Sequence, residues 1–132
     1  IKTSKKYLNN RGQALVEFAL VLPLLFLLVF GIIEYGRYLF LKNTATNGAR
    51  QGARQAAVTP TPWNSAKRAA IYSAATSIYH GSTPWTVAIN PDPPTETGQE
   101  VRVTVSRNFD SVVPNFIPIP TTISASAVMR FE

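Results

Sequence analysis

The feature that most constrains this chain is an apolar run of 20 residues, Ala14 to Ile33, that contains a single charged side chain, Glu17. As a helix, such a run spans about 30 Å, which is the thickness of the hydrocarbon core of a bilayer. It is longer than the apolar part of a secretory signal, and no small-residue cleavage pattern follows it. We therefore expect a transmembrane helix over residues 13–34, with Pro23 tolerated inside it.

The positive charge of the chain is concentrated before this run. The net charge is +6, and four of these charges come from Lys2, Lys5, Lys6 and Arg11. Because basic segments next to a transmembrane helix stay in the cytoplasm, we expect a cytoplasmic leader over residues 1–12 and an extracytoplasmic C-terminal part. The rest of the chain keeps no basic patch interleaved with aromatic residues, so nucleic acid is not an expected partner.

The helix is predicted to continue past the membrane, from about Arg11 to Val58, because residues 34–58 lack proline. Its extension, residues 35–58, contains a four-residue repeat that places small side chains on two adjacent faces. These faces are formed by Gly48 and Gly52 and by Ala49 and Ala53. Small residues at this spacing let another element approach closely. That element is either the chain's own C-terminal domain or another subunit.

Glu34 and Arg37 follow the apolar run at a spacing that allows an ion pair on the helix surface. Exposed pairs of this kind contribute little to stability. We therefore expect both side chains to lie on a solvated helix face. Tyr35 and Tyr38 are expected in the outer aromatic belt of the membrane.

Residues 59–132 show the patterns of a small α+β domain. A second helix is predicted to begin with Thr61 as N-cap and Pro62 as first helical residue, and to end near Tyr79. Its apolar stripe is formed by Ala66, Ala70, Ile71, Ala74, Ala75 and Ile78. Alternation of apolar and polar residues over 85–89, 101–105 and 123–131 then predicts a three-stranded antiparallel sheet. A region of this size is marginal alone, so we expect it to complete its core against the helical extension.

No pattern in the chain predicts catalysis. Cysteine is absent, His80 is the single histidine, and the few acids are scattered. Catalysis needs convergent titratable groups, and no paired-carboxylate motif, phosphate-binding glycine loop or metal-ligand spacing is present. We expect His80 to interact with a helix C-terminus. The sequence therefore predicts a protein that is not an enzyme and has no catalytic residues, metal site or cofactor.

Three segments carry a resemblance to a known family. Gly12-Gln13-Ala14-Leu15-Val16-Glu17-Phe18 resembles the processing site of type IV pilin-like precursors. Together with Gly31-Ile-Ile-Glu-Tyr-Gly-Arg37 and Gly48-Ala-Arg-Gln-Gly-Ala-Arg54, it resembles the TadE-like family of the tight-adherence (Flp) pilus assembly system. The resemblance implies a protein that is single-pass in the bacterial inner membrane, with its C-terminal domain outside, and that serves as a minor pseudopilin or pilus-assembly protein. The α+β class of this membrane-anchored chain rests on the patterns of residues 59–132 alone.

The resemblance also implies roles for individual residues. A prepilin peptidase would cut between Gly12 and Gln13, and Glu17 would be the pilin-type glutamate. Cleavage would create an ammonium group at Gln13, and a carboxylate in a low dielectric gains much from such a neighbour. Pairing between subunits would then set their axial register. The implied partners are the lipid bilayer, other membrane or pilin-like subunits and the peptidase.

Other functions remain open. The leader precedes Gly12, so the sequence is that of a precursor or of a chain that keeps its leader. In the second case the chain would be an unprocessed accessory or structural subunit of a larger membrane complex, and its helix would pack against other helices. Glu17 could instead reach the cytoplasmic interface. A free-standing adhesive domain is a further possibility, based on the proline-rich apolar loop near Phe116.

Overall fold

A computed structural model describes residues 10–78, 84–112 and 118–132, with side chains from residue 12 onward. Its first element, α1, runs from Asn10 to Val58 over 49 residues. This is a helix of roughly 70 Å, with Pro23 inside it. The prediction of one helix that extends well past the apolar run is confirmed.

The second helix, α2, is shorter than predicted and runs from Ser65 to Thr76. Its N-cap is Asn64, whose side-chain oxygen accepts a hydrogen bond from the backbone N–H of Lys67 at 2.9 Å. The predicted start at Thr61 and Pro62 was wrong because Trp63 is buried there, with its indole N–H donating to the carbonyl of Thr59. That contact fixes these residues as a loop, and the helix begins only after it.

Three strands follow and form one antiparallel sheet in the order β1-β2-β3. Their bounds are Thr86–Asn90, Glu100–Asn108 and Thr122–Arg130. Residues at alternate positions of the central strand β2 are buried, namely Val101, Val103 and Val105. The predicted sheet and the α+β class are confirmed. Each of these valines contributes roughly 1.5 kcal/mol or more by its burial.

The second half of α1 lies against α2, β2 and β3. The main core between these elements contains Ala49, Ala53, Ile71, Ala75 and Val103. Residues 59–132 therefore complete their core against the second half of α1, as their small number predicted.

The apolar stripe of α2 is narrower than predicted. Of its six residues, Ile71 and Ala75 are buried, whereas Ala66, Ala70 and Ile78 are exposed. The physical reason is that α2 contacts α1 along one line of small residues, so only one row of its side chains is covered.

A second apolar cluster lies between α1 and the opposite end of the sheet, and its buried members are Leu41, Ala45, Phe109 and Ile123. Phe109 follows β2, and its N–H donates to the carbonyl of Thr121 just before β3. Three predicted features lie outside the described residues: most of the leader, the segment from Tyr79 to Gly81 with His80, and the loop around Phe116.

Candidate functional site

The first half of α1 carries apolar side chains that nothing in the described chain covers. For example, the exposed fraction of the side chain is 75% at Leu20 and 40% at Val29. No part of its most apolar 18-residue window is buried. Among the described residues, α1 is the one helix long and apolar enough to cross a membrane. Because an uncovered apolar surface of this size is unfavourable in water, lipid or other subunits must cover it.

The predicted processing residues lie at the start of this helix. Gly12 and Gln13 are both exposed, and a Cβ added at Gly12 would meet no atom within 4 Å. Glu17 is also exposed, four residues after Gln13 and therefore on the same helix face. With the other described side chains it forms neither an ion pair nor a hydrogen bond. The carboxylate is thus available to a partner outside the described chain.

The small residues of α1 pack inside the domain. A Cβ added at Gly48 would lie 2.2 Å from the carbonyl oxygen of Ala75, and one at Gly52 would lie 2.8 Å from the Cβ of Ala75. Ala49 and Ala53 are fully buried in the same interface. The chain's own second helix and sheet therefore cover the four residues singled out in the sequence.

Glu34 is buried at a position where the predicted ion pair with Arg37 did not indicate burial. The structure contradicts its expected place on a solvated face, because only 2% of it is exposed. Its Oε2 accepts a hydrogen bond from Nη1 of Arg37 at 3.0 Å, and its Oε1 accepts one from the backbone N–H of Val112 at 2.9 Å. The buried hydroxyl of Ser111 lies beside the carboxylate without meeting the geometry of a full hydrogen bond.

Glu34 follows the exposed apolar run and belongs to the folded domain. The same contacts determine the pKa of its carboxyl group. Burial from water raises the pKa of its carboxyl group. The N–H of Val112 stabilises the charged form, as do Ser111 and Arg37 with smaller effects. Together these contacts outweigh burial, so that the pKa lies below its ordinary value. Glu34 is therefore an ionised carboxylate at neutral pH.

Two contacts to the Phe109 ring connect the same part of α1 to the segment that contains Val112. The Arg37 guanidinium lies 5.5 Å from the centroid of the Phe109 ring. Tyr38 meets the same ring edge-on, with 5.7 Å between centroids. We call Glu34, Arg37, Tyr38, Phe109 and Val112 the junction cluster, since they join α1 to the segment after β2 just beyond the apolar run. The cluster fixes how the domain is held on the helix.

A sequence signal for Glu34 does exist. Counting back from Gly48 in steps of seven leads to Leu41 and then to Glu34, and all three are buried. Positions seven apart share a helix face. The buried stripe of α1 therefore extends back to Glu34, and a carboxylate in such a stripe indicates a specific partner.

No metal centre is evident in the parts of the chain that the structure describes, where His, Asp and Glu form no group of three that could hold an ion. The carboxylates of Glu17 and Glu34 differ in environment. Glu17 is exposed, whereas Glu34 is hydrogen-bonded within the chain.

Comparison with known proteins adds one match. Residues 12–54, about one third of the chain, match the family model described as TadE-like protein. No curated protein and no solved structure matches the chain significantly. The matched segment begins at Gly12, includes Glu17 and Glu34, and ends inside the small-residue face. Over residues 12–54, the chain is therefore similar to the TadE-like family, as its motifs predicted.

Proposed function

We propose that this chain is a TadE-like minor pseudopilin or pilus-assembly protein, anchored in the bacterial inner membrane by one transmembrane helix. The observation that carries the proposal is the family match over the uncovered apolar half of α1 and most of its extension. The apolar run of α1 is uncovered over 20 residues, whereas the second half of α1 packs against α2 and the sheet. This division is expected of a subunit that assembles laterally through its membrane segment. The proposed role is structural and non-enzymatic.

The junction cluster decides where the proposed membrane-spanning segment ends. The cytoplasmic leader covers residues 1–12, and the small outer domain covers 59–132. We end the membrane-spanning segment at Ile33 instead of residue 34, because the folded domain holds Glu34 through the N–H of Val112. The extension then starts at Glu34 and ends at Val58. The basic leader supports a cytoplasmic N-terminus and an extracytoplasmic domain.

The proposed assembly chemistry uses Gln13 and Glu17. Hydrolysis of the Gly12–Gln13 amide bond by a prepilin peptidase would leave a carboxylate on Gly12 and an ammonium on Gln13. Little water is present near the bilayer core to screen charges. This ammonium and the Glu17 carboxylate therefore attract each other strongly, within a chain or between neighbouring subunits. A pair between neighbouring subunits would fix the axial position of each new subunit.

The test compares three variants in the native host. Glu17→Val should leave membrane insertion intact, because it makes the segment more apolar, and should strongly reduce recovery with assembled pili. Glu17→Asp keeps the charge and should retain part of the assembly. Leu20→Val, at an exposed site in the same run, is the matched control and should behave like the wild type. Membrane fractionation and co-sedimentation with sheared pili provide the two readouts.

Unchanged assembly of Glu17→Val would remove the carboxylate from the mechanism. Co-purification in mild detergent addresses the competing function. Recovery with pilus components supports the proposal, whereas stoichiometric recovery with an unrelated membrane complex would identify an accessory subunit of that complex.

A further inference from the structure

We propose that the segment Phe109–Val112 rests on the outer surface of the bilayer, with the side chain of Val112 at the lipid headgroups. This inference rests on the proposed membrane anchor and extends it, because it assigns a lipid contact to a part of the chain that is far from the anchor in sequence. The Glu34 carboxylate positions this contact.

The position of Val112 relative to the membrane follows from one short distance. The backbone N–H of Val112 lies 2.9 Å from Oε1 of Glu34. Glu34 is the first residue after the apolar run, whose length of about 30 Å matches the hydrocarbon core. If Ala14 to Ile33 crosses that core, Val112 must lie at the level of the headgroups.

The surface at this level is apolar and uncovered. The exposed fraction of Val112 is 68%, and those of Tyr35 and Phe40 on the nearby part of α1 are 55% and 65%. The amphipathic ring of tyrosine is favoured at the membrane–water interface, which suits Tyr35. Tyr35 lies two residues after Ile33, the last residue of the exposed apolar run, so a bilayer that covers the run reaches Tyr35.

Two charged groups limit the depth of the contact. Asp110, in the same segment, is exposed, and Arg37 is 44% exposed at its side chain. Because charges are costly in hydrocarbon but tolerated at the headgroups, the segment lies on the bilayer and does not enter its core. The burial of Phe109 and its edge-on contact with Tyr38 hold the segment Phe109–Val112 against α1.

The chain has no cysteine, so single-cysteine labelling tests the contact directly. The full chain carrying Val112→Cys is labelled with an environment-sensitive fluorophore and reconstituted in phosphatidylcholine–phosphatidylglycerol vesicles. Aqueous iodide and lipids with a quencher near the headgroup are the two probes. Leu25→Cys reports the membrane anchor, and Val58→Cys, 55% exposed at the far end of α1, is the matched control.

We expect quenching of the Val112 label by iodide to be several-fold weaker than that of the Val58 label, and its quenching by the shallow lipid probe several-fold stronger. Adding Glu34→Gln should raise the iodide quenching at position 112 toward the Val58 value. Asn43→Ala, at an exposed site on α1, should leave it unchanged. Fluorescence of the two tryptophans, Trp63 in the main core and Trp85 packed against it, confirms that each variant is folded.

Two results would overturn the inference, and they are distinguishable. A Leu25 label protected from iodide together with a Val112 label as accessible as that at Val58 refutes the lipid contact and leaves the anchor intact. A Leu25 label that iodide reaches freely refutes the anchor and, with it, the contact.

Discussion

Replacing Gly48 by alanine tests the close packing of α1 on α2. The added Cβ would lie 2.2 Å from the carbonyl oxygen of Ala75, whereas ordinary contacts begin near 3.4 Å. The two helices must therefore separate by about 1 Å, because the obstacle is backbone and cannot rotate away. Overpacking of this kind costs about 1–3 kcal/mol, and the better helix propensity of alanine returns about 1 kcal/mol. We expect a net loss of up to about 2 kcal/mol relative to the wild type.

Gly36→Ala is the matched control on the same helix, because a Cβ there would meet no atom within 4 Å. We expect it to lose no stability and to gain up to about 1 kcal/mol from helix propensity. The assay is urea unfolding of the full chain in detergent micelles, followed by the fluorescence of Trp63 in the main core and Trp85 packed against it. If Gly48→Ala proves as stable as Gly36→Ala, the proposed contact between α1 and α2 is refuted.

Three further predictions use the same unfolding assay. Ile71→Ala should cost about 2–5 kcal/mol because the side chain is fully buried, whereas Ile78→Ala, at a site 42% exposed, should change stability by less than about 1 kcal/mol. Asn64→Ala should cost about 1 kcal/mol through loss of the α2 cap, and an unchanged midpoint would contradict that role. The folded pKa of Glu34 is lowered, so its stabilisation is present above the ordinary carboxyl pKa and is lost as the pH falls through the folded value. Glu34→Gln should weaken that acid dependence, and an equally steep dependence would refute the assignment.

The elements of this fold that could be predicted from sequence are those with strong local patterns. The run from Ala14 to Ile33 predicts its helix by length, and the absence of proline up to Val58 predicts its continuation. Period-two alternation around Val103 predicts the sheet. These features depend on neighbouring residues, so the single sequence is sufficient for them.

The features that were mispredicted depend on contacts between distant residues. The environment of Glu34 is set by Val112, which lies 78 residues later in the chain. A pair at i and i+3 with Arg37 looks the same in sequence whether it is solvated or buried. The start of α2 is likewise decided by the burial of Trp63, so that Asn64 becomes the cap although Thr61 carries an equally good local signal.

The candidate site divides in the same way. Gly12, Gln13 and Glu17 were identified from a motif, and the family match covers them. Their proposed chemistry depends on a second chain and a peptidase, which no pattern within one sequence specifies. The junction cluster, in contrast, is a property of the fold, and it became visible only when Glu34 was placed against the segment after β2.

The most direct test of the pseudopilin function is the intact mass of the native protein purified from its own membranes. The proposal predicts a chain that begins at Gln13, because only cleavage after Gly12 creates the ammonium that Glu17 would pair with. A native chain that retains Lys5 and Lys6 would contradict the proposal.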